Sequence, residues 1–375
     1  MKVIFLRDND IIADSRILKE ASSLVKVGHN VSIIGWDEHR DASSVDGETS
    51  YAGVSLPIHF LKAKLSYHHK VFKVWSYVKF EIALFFYLLK VCKRIDAIHA
   101  CNLQTGVIGL LAAKLTHKKL VYDIFDFAAD TRNYPAGLSQ FIHHLEFYVI
   151  NRADTTIICS EERRAQIKGT HSKHLWVIYN SPDLPVNHGP EGQQPKYTIA
   201  YVGGLSPYRF LPELVDVVAM EPKWSMTIAG FGKYESMITD YASQDEGIFF
   251  LGKVPYSKVA EIESNAEILV ALYDPIIKNH RFASPNKFFE AFRLGKPLIM
   301  IKGTGMSSWL TKLSVGAVVE PSKAGIQAGI KKVMANKSSW THDGEIMKRT
   351  YTAEFSWEQM THRLQRIYQT LSSQN

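Results

Sequence analysis

Short β-branched and aliphatic runs recur along the chain with amphipathic stretches between them, the pattern of βα units around a parallel sheet. In the first half the runs are 2–6 (KVIFL), 30–35 (NVSIIG), 55–61 (SLPIHFL), 97–100 (AIHA), 119–123 (KLVYD), 155–159 (TTIIC) and 175–179 (LWVIY). Asp14 caps the first intervening helix, Ile17, Leu18, Ala21, Leu24 and Val25 share one face of it, and Gly28 stops it. The rhythm breaks once, at 180–195 (NSPDLPVNHGPEGQQP), where proline, glycine and polar residues read as a linker. It restarts with 197–203, 225–230, 248–252, 267–273, 297–301 and 316–320. The fold class is therefore α/β, with two open sheets and ligands expected at the carboxyl ends of the strands, in a crevice between the sheets.

A length of 375 residues suits two domains of about 180 each. Cys92, Cys101 and Cys159 lie far apart, outside any disulfide or zinc spacing, so a reducing, cytoplasmic compartment is expected. The N-terminal apolar stretch is too short for a signal-peptide core, and the most apolar run, 82–89, is far below the ~20 residues that cross a bilayer.

The net charge of +7 is unevenly placed. Between 61 and 94 eight Lys or Arg (62, 64, 70, 73, 79, 90, 93, 94) stand against Glu81 alone, interleaved with Tyr, Phe and Trp. A solvated helix face is the plain reading of such a stretch. An anionic membrane surface is the functional one, at about 1 kcal/mol per basic residue. No nucleic-acid module accompanies it, so no nucleic-acid partner is expected.

The loops after the second set of runs carry the candidate chemistry. Gly203 and Gly204 follow a strand directly, with Arg209 shortly after; Gly230 and Gly232 repeat the design. Glycines there permit close backbone approach to a ligand or satisfy a tight turn, and a guanidinium fork suits phosphate. In 281–300 (RFASPNKFFEAFRLGKPLIM), Ser284 is expected to cap a helix that begins at Pro285, leaving the amides of Asn286, Lys287 and Phe288 free for an anion. Lys287 adds positive charge at a helix start, where the macrodipole does not favour it, which points to an anionic ligand. Glu290, one turn on, is placed to accept from two neighbouring hydroxyls such as a ribose offers. Phosphate and ribose together indicate a nucleotide.

Taken in order, the stretches DSRILKEASSLVKVGHNVSIIGWD, IHACNLQTGVIGLLAAKL, KLVYDIFDF, RADTTIICSEERRAQI, VIYNSPD, YVGGLSPYR, MTIAGFGKYE, FLGKVPYSKV, SPNKFFEAFRLGKPLI and FSWEQMTHRLQRIYQTL resemble the glycosyltransferases of the GT-B fold, and within them family 4, nearly end to end. The resemblance implies two Rossmann-like domains facing each other across an interdomain cleft: an acceptor-side domain at 1–180, a linker at 181–196, a nucleotide-sugar domain at 197–355, and a helix at 356–375 crossing back. It implies transfer with retention from a nucleotide-diphosphate sugar to a saccharide or lipid-linked saccharide, in bacterial surface polysaccharide or glycan synthesis, without a metal or other cofactor. It places the base at Gly252, Lys253 and Val254. The diphosphate falls to Arg209 and the stretch Ser284, Pro285, Asn286, Lys287, the ribose to Glu290, and Gly203, Gly204 and Gly230 join the donor-binding set. It sets Asp14 and Arg16 in a first-domain loop over the donor sugar. Arg209, Lys287, Glu290 and Asp126 are the candidate catalytic residues.

Three departures bear on that pattern, the first being that a loop often reading Gly-Arg followed by Lys reads Gly203-Gly204 followed by Arg209, one phosphate cation fewer. Phe282 stands where the family often has the earlier of two glutamates eight apart, and Phe125 where many relatives have histidine, leaving Asp123 and Asp126 as the nearest polar groups. Two other readings stay open: a nucleotide-sugar epimerase of similar architecture, and a non-catalytic nucleotide-binding partner of another transferase. A Rossmann dehydrogenase is disfavoured, because the first strand leads into RDNDIIADSR with no GxGxxG.

Overall fold

The computed structural model describes residues 1–9, 11, 14–36, 46–61, 70–131, 134–183 and 196–373, and of 70–74 the backbone only. They form two compact units, one of Met1–Tyr179 with Met360–Asn375 and one of Asn180–Gln359. Most of the expected linker, at 184–195, lies outside the described residues.

The first unit runs β1 (Lys2–Leu6), α1 (Ser15–Lys26), β2 (Asn30–Gly35), β3 (Asp46–Tyr51), β4 (Val54–Phe60), α2 (Lys70–Val91) and β5 (Ala97–Cys101). It continues with α3 (Asn102–Thr116), β6 (Lys119–Ile124), α4 (Ala136–Ile150), β7 (Thr155–Ile158), α5 (Arg163–Gln166) and β8 (Leu175–Val177). The sheet order is β3-β4-β2-β1-β5-β6-β7-β8, parallel except for β3, which pairs antiparallel with β4. Val3, Ile4, Phe5 and Leu6 of β1 are all buried, as a strand covered on both faces requires.

The second unit runs β9 (Tyr197–Val202), α6 (Leu211–Ala219), β10 (Met226–Ala229), α7 (Glu235–Gln244), β11 (Ile248–Phe250), α8 (Val259–Ser264) and β12 (Ala266–Ala271). Then come α9 (Asn286–Leu294), β13 (Leu298–Ile301), α10 (Ser307–Leu313), β14 (Ala317–Val319), α11 (Lys323–Ala335) and α12 (Trp340–Thr350). Its six parallel strands lie in the order β11-β10-β9-β12-β13-β14. The chain winds outward from β9 one way and from β12 the other, so their carboxyl ends flank the point where the order reverses, the place such sheets keep for ligands.

The last helix, α13 (Trp357–Ser372), contributes Met360, Leu364, Ile367, Tyr368 and Leu371 to buried positions. Tyr368 Oη lies 2.8 Å from His99 Nδ1, and Arg363 Nη1 donates to the carbonyl of Val177 at 3.1 Å, which ties α13 to the first unit.

Candidate functional site

In the second unit the site grows from the loops after β9 and β12. Gly203 and Gly230 come so close that a Cβ on Gly230 would sit 1.9 Å from the carbonyl oxygen of Gly203; on Gly232 it would sit 2.6 Å from that of Leu205. The glycines of the second loop are thus demanded by backbone packing, whereas Gly204 is exposed with open space around it. Downstream, Tyr208 and Phe210 both take left-handed backbone, with φ 67 and 48, and flank Arg209. The Asp274 amide donates to the Tyr208 carbonyl at 3.0 Å and pins this turn to the loop after β12. The guanidinium lies 3.5 Å from the Tyr273 ring centroid, and its Nη1 is buried with no hydrogen-bond partner among the described residues.

On α9, the side chains of Phe288, Phe289 and Phe292 are buried and pack on Phe355. That leaves the helix start to polar groups. Pro285, not Ser284, takes the N-cap position and Asn286 is the first helical residue. The expected capping bond fails because Ser284 Oγ is buried without a hydrogen-bond partner among the described residues. The Phe288 amide is not free either: it donates to the Pro285 carbonyl at 3.0 Å, so only the amides of Asn286 and Lys287 remain of the expected three.

Lys287 is the larger correction, because its charge is not free. Its Nζ is 2.8 Å from Glu263 Oε1 and also donates to Glu290 Oε2, and the two carboxylates are nearly sequestered, with 1% and 7% of their side chains exposed. Glu263 escaped sequence reading. Val259 and Glu263 are i and i+4 on the buried face of α8, and an acid on an otherwise apolar stripe was the available signal. Burial, with Glu290 next to it, pushes Glu263 up to about 8. Lys287 is raised despite its burial, because both carboxylates favour its charged form. Burial raises Tyr201, at the end of β9, against the lowering effect of both Arg209 and Lys287, which puts the two cations around one phenol. Gly252 has φ 64 with open space where a Cβ would go, and the exposed Lys253 lies 5.0 Å from the Phe231 ring centroid, with Val254 half-buried beyond.

In the first unit, charges gather where β1, β5, β6 and β7 end. Asp14 caps α1, accepting from the Ile17 amide at 3.5 Å, and takes a 2.7 Å bond from Arg7 Nε. Arg16 is not a loop residue. It sits in α1, 5% exposed, and binds Glu20 Oε1 at 3.0 Å and both oxygens of Asp123 at 2.9 and 3.2 Å. A carboxylate pair inside a fully buried pocket needs a cation, and Arg16 supplies it. Burial alone would raise Asp123, yet Arg16 holds it below the usual range; burial and Asp123 raise Glu20. His99 Nε2 lies 3.5 Å from both Glu20 and Asp123, and Glu20, His99 and Asp123 form the set among the described residues whose ligand atoms converge enough for a metal. Arg16 already places positive charge against both carboxylates. Phe125 lies between guanidiniums, 4.7 Å from Arg7 and 4.3 Å from Arg16. Of the two acids beside it, Asp123 is buried and Asp126 is 53% exposed, 3.4 Å from Arg163.

Residues 15–184 match the family described as Glycosyltransferase Family 4, and 187–350 the family Glycosyl transferases group 1. No curated protein matches the chain. Among solved structures, sucrose-phosphate synthase from Thermosynechococcus elongatus superposes with a TM-score of 0.75 at 16% identity, covering 100% of both chains. HepE from Anabaena in complex with UDP gives 0.72 at 15%, again over 100% of both chains. The lipopolysaccharide outer core galactosyltransferase WaaB gives 0.65 at 15%, over 99% of this chain and 100% of its own.

Proposed function

We propose that this chain, a glycosyltransferase of the GT-B fold resembling family 4, moves a hexosyl or N-acetylhexosaminyl group from a nucleotide-diphosphate sugar to a saccharide or lipid-linked saccharide, with retention at the anomeric carbon. The observation that carries it is the buried Nη1 of Arg209, without a hydrogen-bond partner among the described residues, on a strained turn beside the reversal point of a six-strand parallel sheet. UDP in HepE, and UDP-glucose in another complex of that protein, support a nucleotide-sugar donor here. A role in surface polysaccharide synthesis is consistent with the galactosyltransferase neighbour.

In this reading the acceptor hydroxyl attacks on the face from which the diphosphate leaves. The bond from the anomeric carbon to the β-phosphate oxygen breaks, and the acceptor proton passes to that phosphate. Charge grows on the leaving diphosphate, where Arg209 and the amides of Asn286 and Lys287 meet it. Lys287 chiefly holds Glu290 for the ribose hydroxyls, and Gly252 to Val254 take the base. Asp126, a solvent-reaching acid beside Phe125, is the polar group offered to the acceptor side. Transfer proceeds without a metal, so chelation by EDTA leaves the rate unchanged.

The acceptor side is proposed to rest on the anionic cytoplasmic leaflet through 61–94. No helix among the described residues is long and apolar enough to cross a membrane, but α2 exposes Trp75, Val78, Ile82 and Phe86 at spacings of three and four. Lys79, Lys90, Lys93 and Arg94 are exposed around them. Lys62 and Lys64 lie outside the described residues, as do the side chains of Lys70 and Lys73.

The test is a transfer assay with UDP-, GDP-, ADP- and dTDP-sugars, the product's anomeric configuration being read by NMR. Retained configuration and loss of transfer in Arg209→Ala support the reading. An inverted product, or donor turnover to an epimer without acceptor, contradicts it.

A further inference from the structure

We infer that Glu263 is a positioning residue of the donor site: it holds Lys287 against Glu290 and takes up a proton when a nucleoside diphosphate binds. This rests on reading that site as the diphosphate site.

The geometry leaves Glu263 little else to do. It is 1% exposed, and its close charged groups are Lys287 Nζ at 2.8 Å and the Glu290 carboxylate beside it. Lys296, which packs at the other end of α8, spends its ammonium on the carbonyls of Ser264 and Ala266. Lys258 pairs with Glu261 on the exposed side. The groups facing the cluster are therefore Lys287 and Glu290 on α9, Tyr256 before α8, Tyr201 on β9, and Asp183 through its effect on Tyr256.

Two carboxylates against one ammonium make a net negative cluster when both acids are ionised, which repels a diphosphate. Protonating one acid makes the cluster neutral. Glu263 is the acid placed to do this, since burial has moved it to about 8, while burial moves Tyr256 and Tyr201 upward, away from neutrality, and Lys287 stays charged. The sign follows. Below that value the unliganded site carries the proton and binding needs no uptake. Above it, Glu263 is a carboxylate, the arriving phosphates disfavour that form, and the carboxylate takes a proton from solvent to become the acid. Affinity therefore falls as pH rises, by about fourfold between pH 7.0 and 8.5 for a group titrating near 8.

UDP, GDP, ADP and dTDP are titrated calorimetrically into the full chain at pH 7.0 and 8.5, in buffers of different ionisation enthalpy, and the tightest binder is carried forward. The expected result is net proton uptake at pH 8.5 and a Kd about fourfold weaker than at pH 7.0, both absent in Glu263→Gln. Binding without uptake in the unmodified chain overturns the inference alone, as does an equal pH slope in the folded Gln variant. If that variant does not fold, proton uptake by the unmodified chain decides. If none of the four binds, the donor-site reading falls and the inference with it.

Discussion

Arg209 and Lys287 show how far a residue's type determines its role. Both were expected to face phosphate, and the structure separates them by their partners. Arg209 keeps Nη1 unpaired among the described residues, its guanidinium over an aromatic ring, whereas Lys287 is held between two acids. Removing a donor that acts on developing charge costs ~10²–10³ in kcat. Arg209→Ala should lose that much in a steady-state assay with its melting temperature unchanged, and Arg209→Lys should recover only part, since an ammonium lacks the fork. The glycines divide similarly. Gly230→Ala drives a methyl into the Gly203 carbonyl and should lower the melting temperature by several degrees, while Gly204→Ala, in open space, should not. The pattern GG and GFG was readable in the sequence; which glycine serves packing was not, because that depends on two loops meeting.

Among the elements, all thirteen β-branched runs begin within one residue of an observed strand; apolar periodicity suffices where a strand is buried. The miss was β3, DGETSY, whose residues alternate between exposed and half-buried. An edge strand with no buried face leaves no apolar alternation to read, and only its antiparallel pairing with β4 defines it. The α9 start was misread by one residue because SPNK satisfies the cap rules locally, while the fold leaves Ser284 Oγ unpaired among the described residues. On α2 the sequence showed charge and the structure shows an apolar stripe beside it. Vesicle co-sedimentation should therefore survive high salt in part, and Trp75→Ser with Phe86→Ser should abolish the salt-resistant fraction. Equal binding by that double variant would return the contact to electrostatics alone.

At the scale of the molecule, the division into two α/β units was legible from the linker composition and the restarting rhythm. The return of 360–375 to the first unit came from the resemblance, and its anchor, Tyr368 on His99, is a contact 269 positions apart in sequence that no local pattern reveals. Leu364→Ala in that helix should destabilise by about 2–5 kcal/mol, read by denaturant unfolding. The buried Arg16–Asp123–Glu20–His99 cluster was equally hidden, since a charged residue in an amphipathic helix reads as surface until its partners arrive from other strands. The central claim is that the second unit holds a nucleoside diphosphate through Arg209. A thermal-shift titration with UDP, GDP, ADP and dTDP tests it most directly. At a hundredfold excess over Kd, one base should add about 2.7 kcal/mol and raise the melting temperature by several degrees, with the shift reduced in Arg209→Ala; no shift with any of the four, or an undiminished shift in the variant, would contradict it.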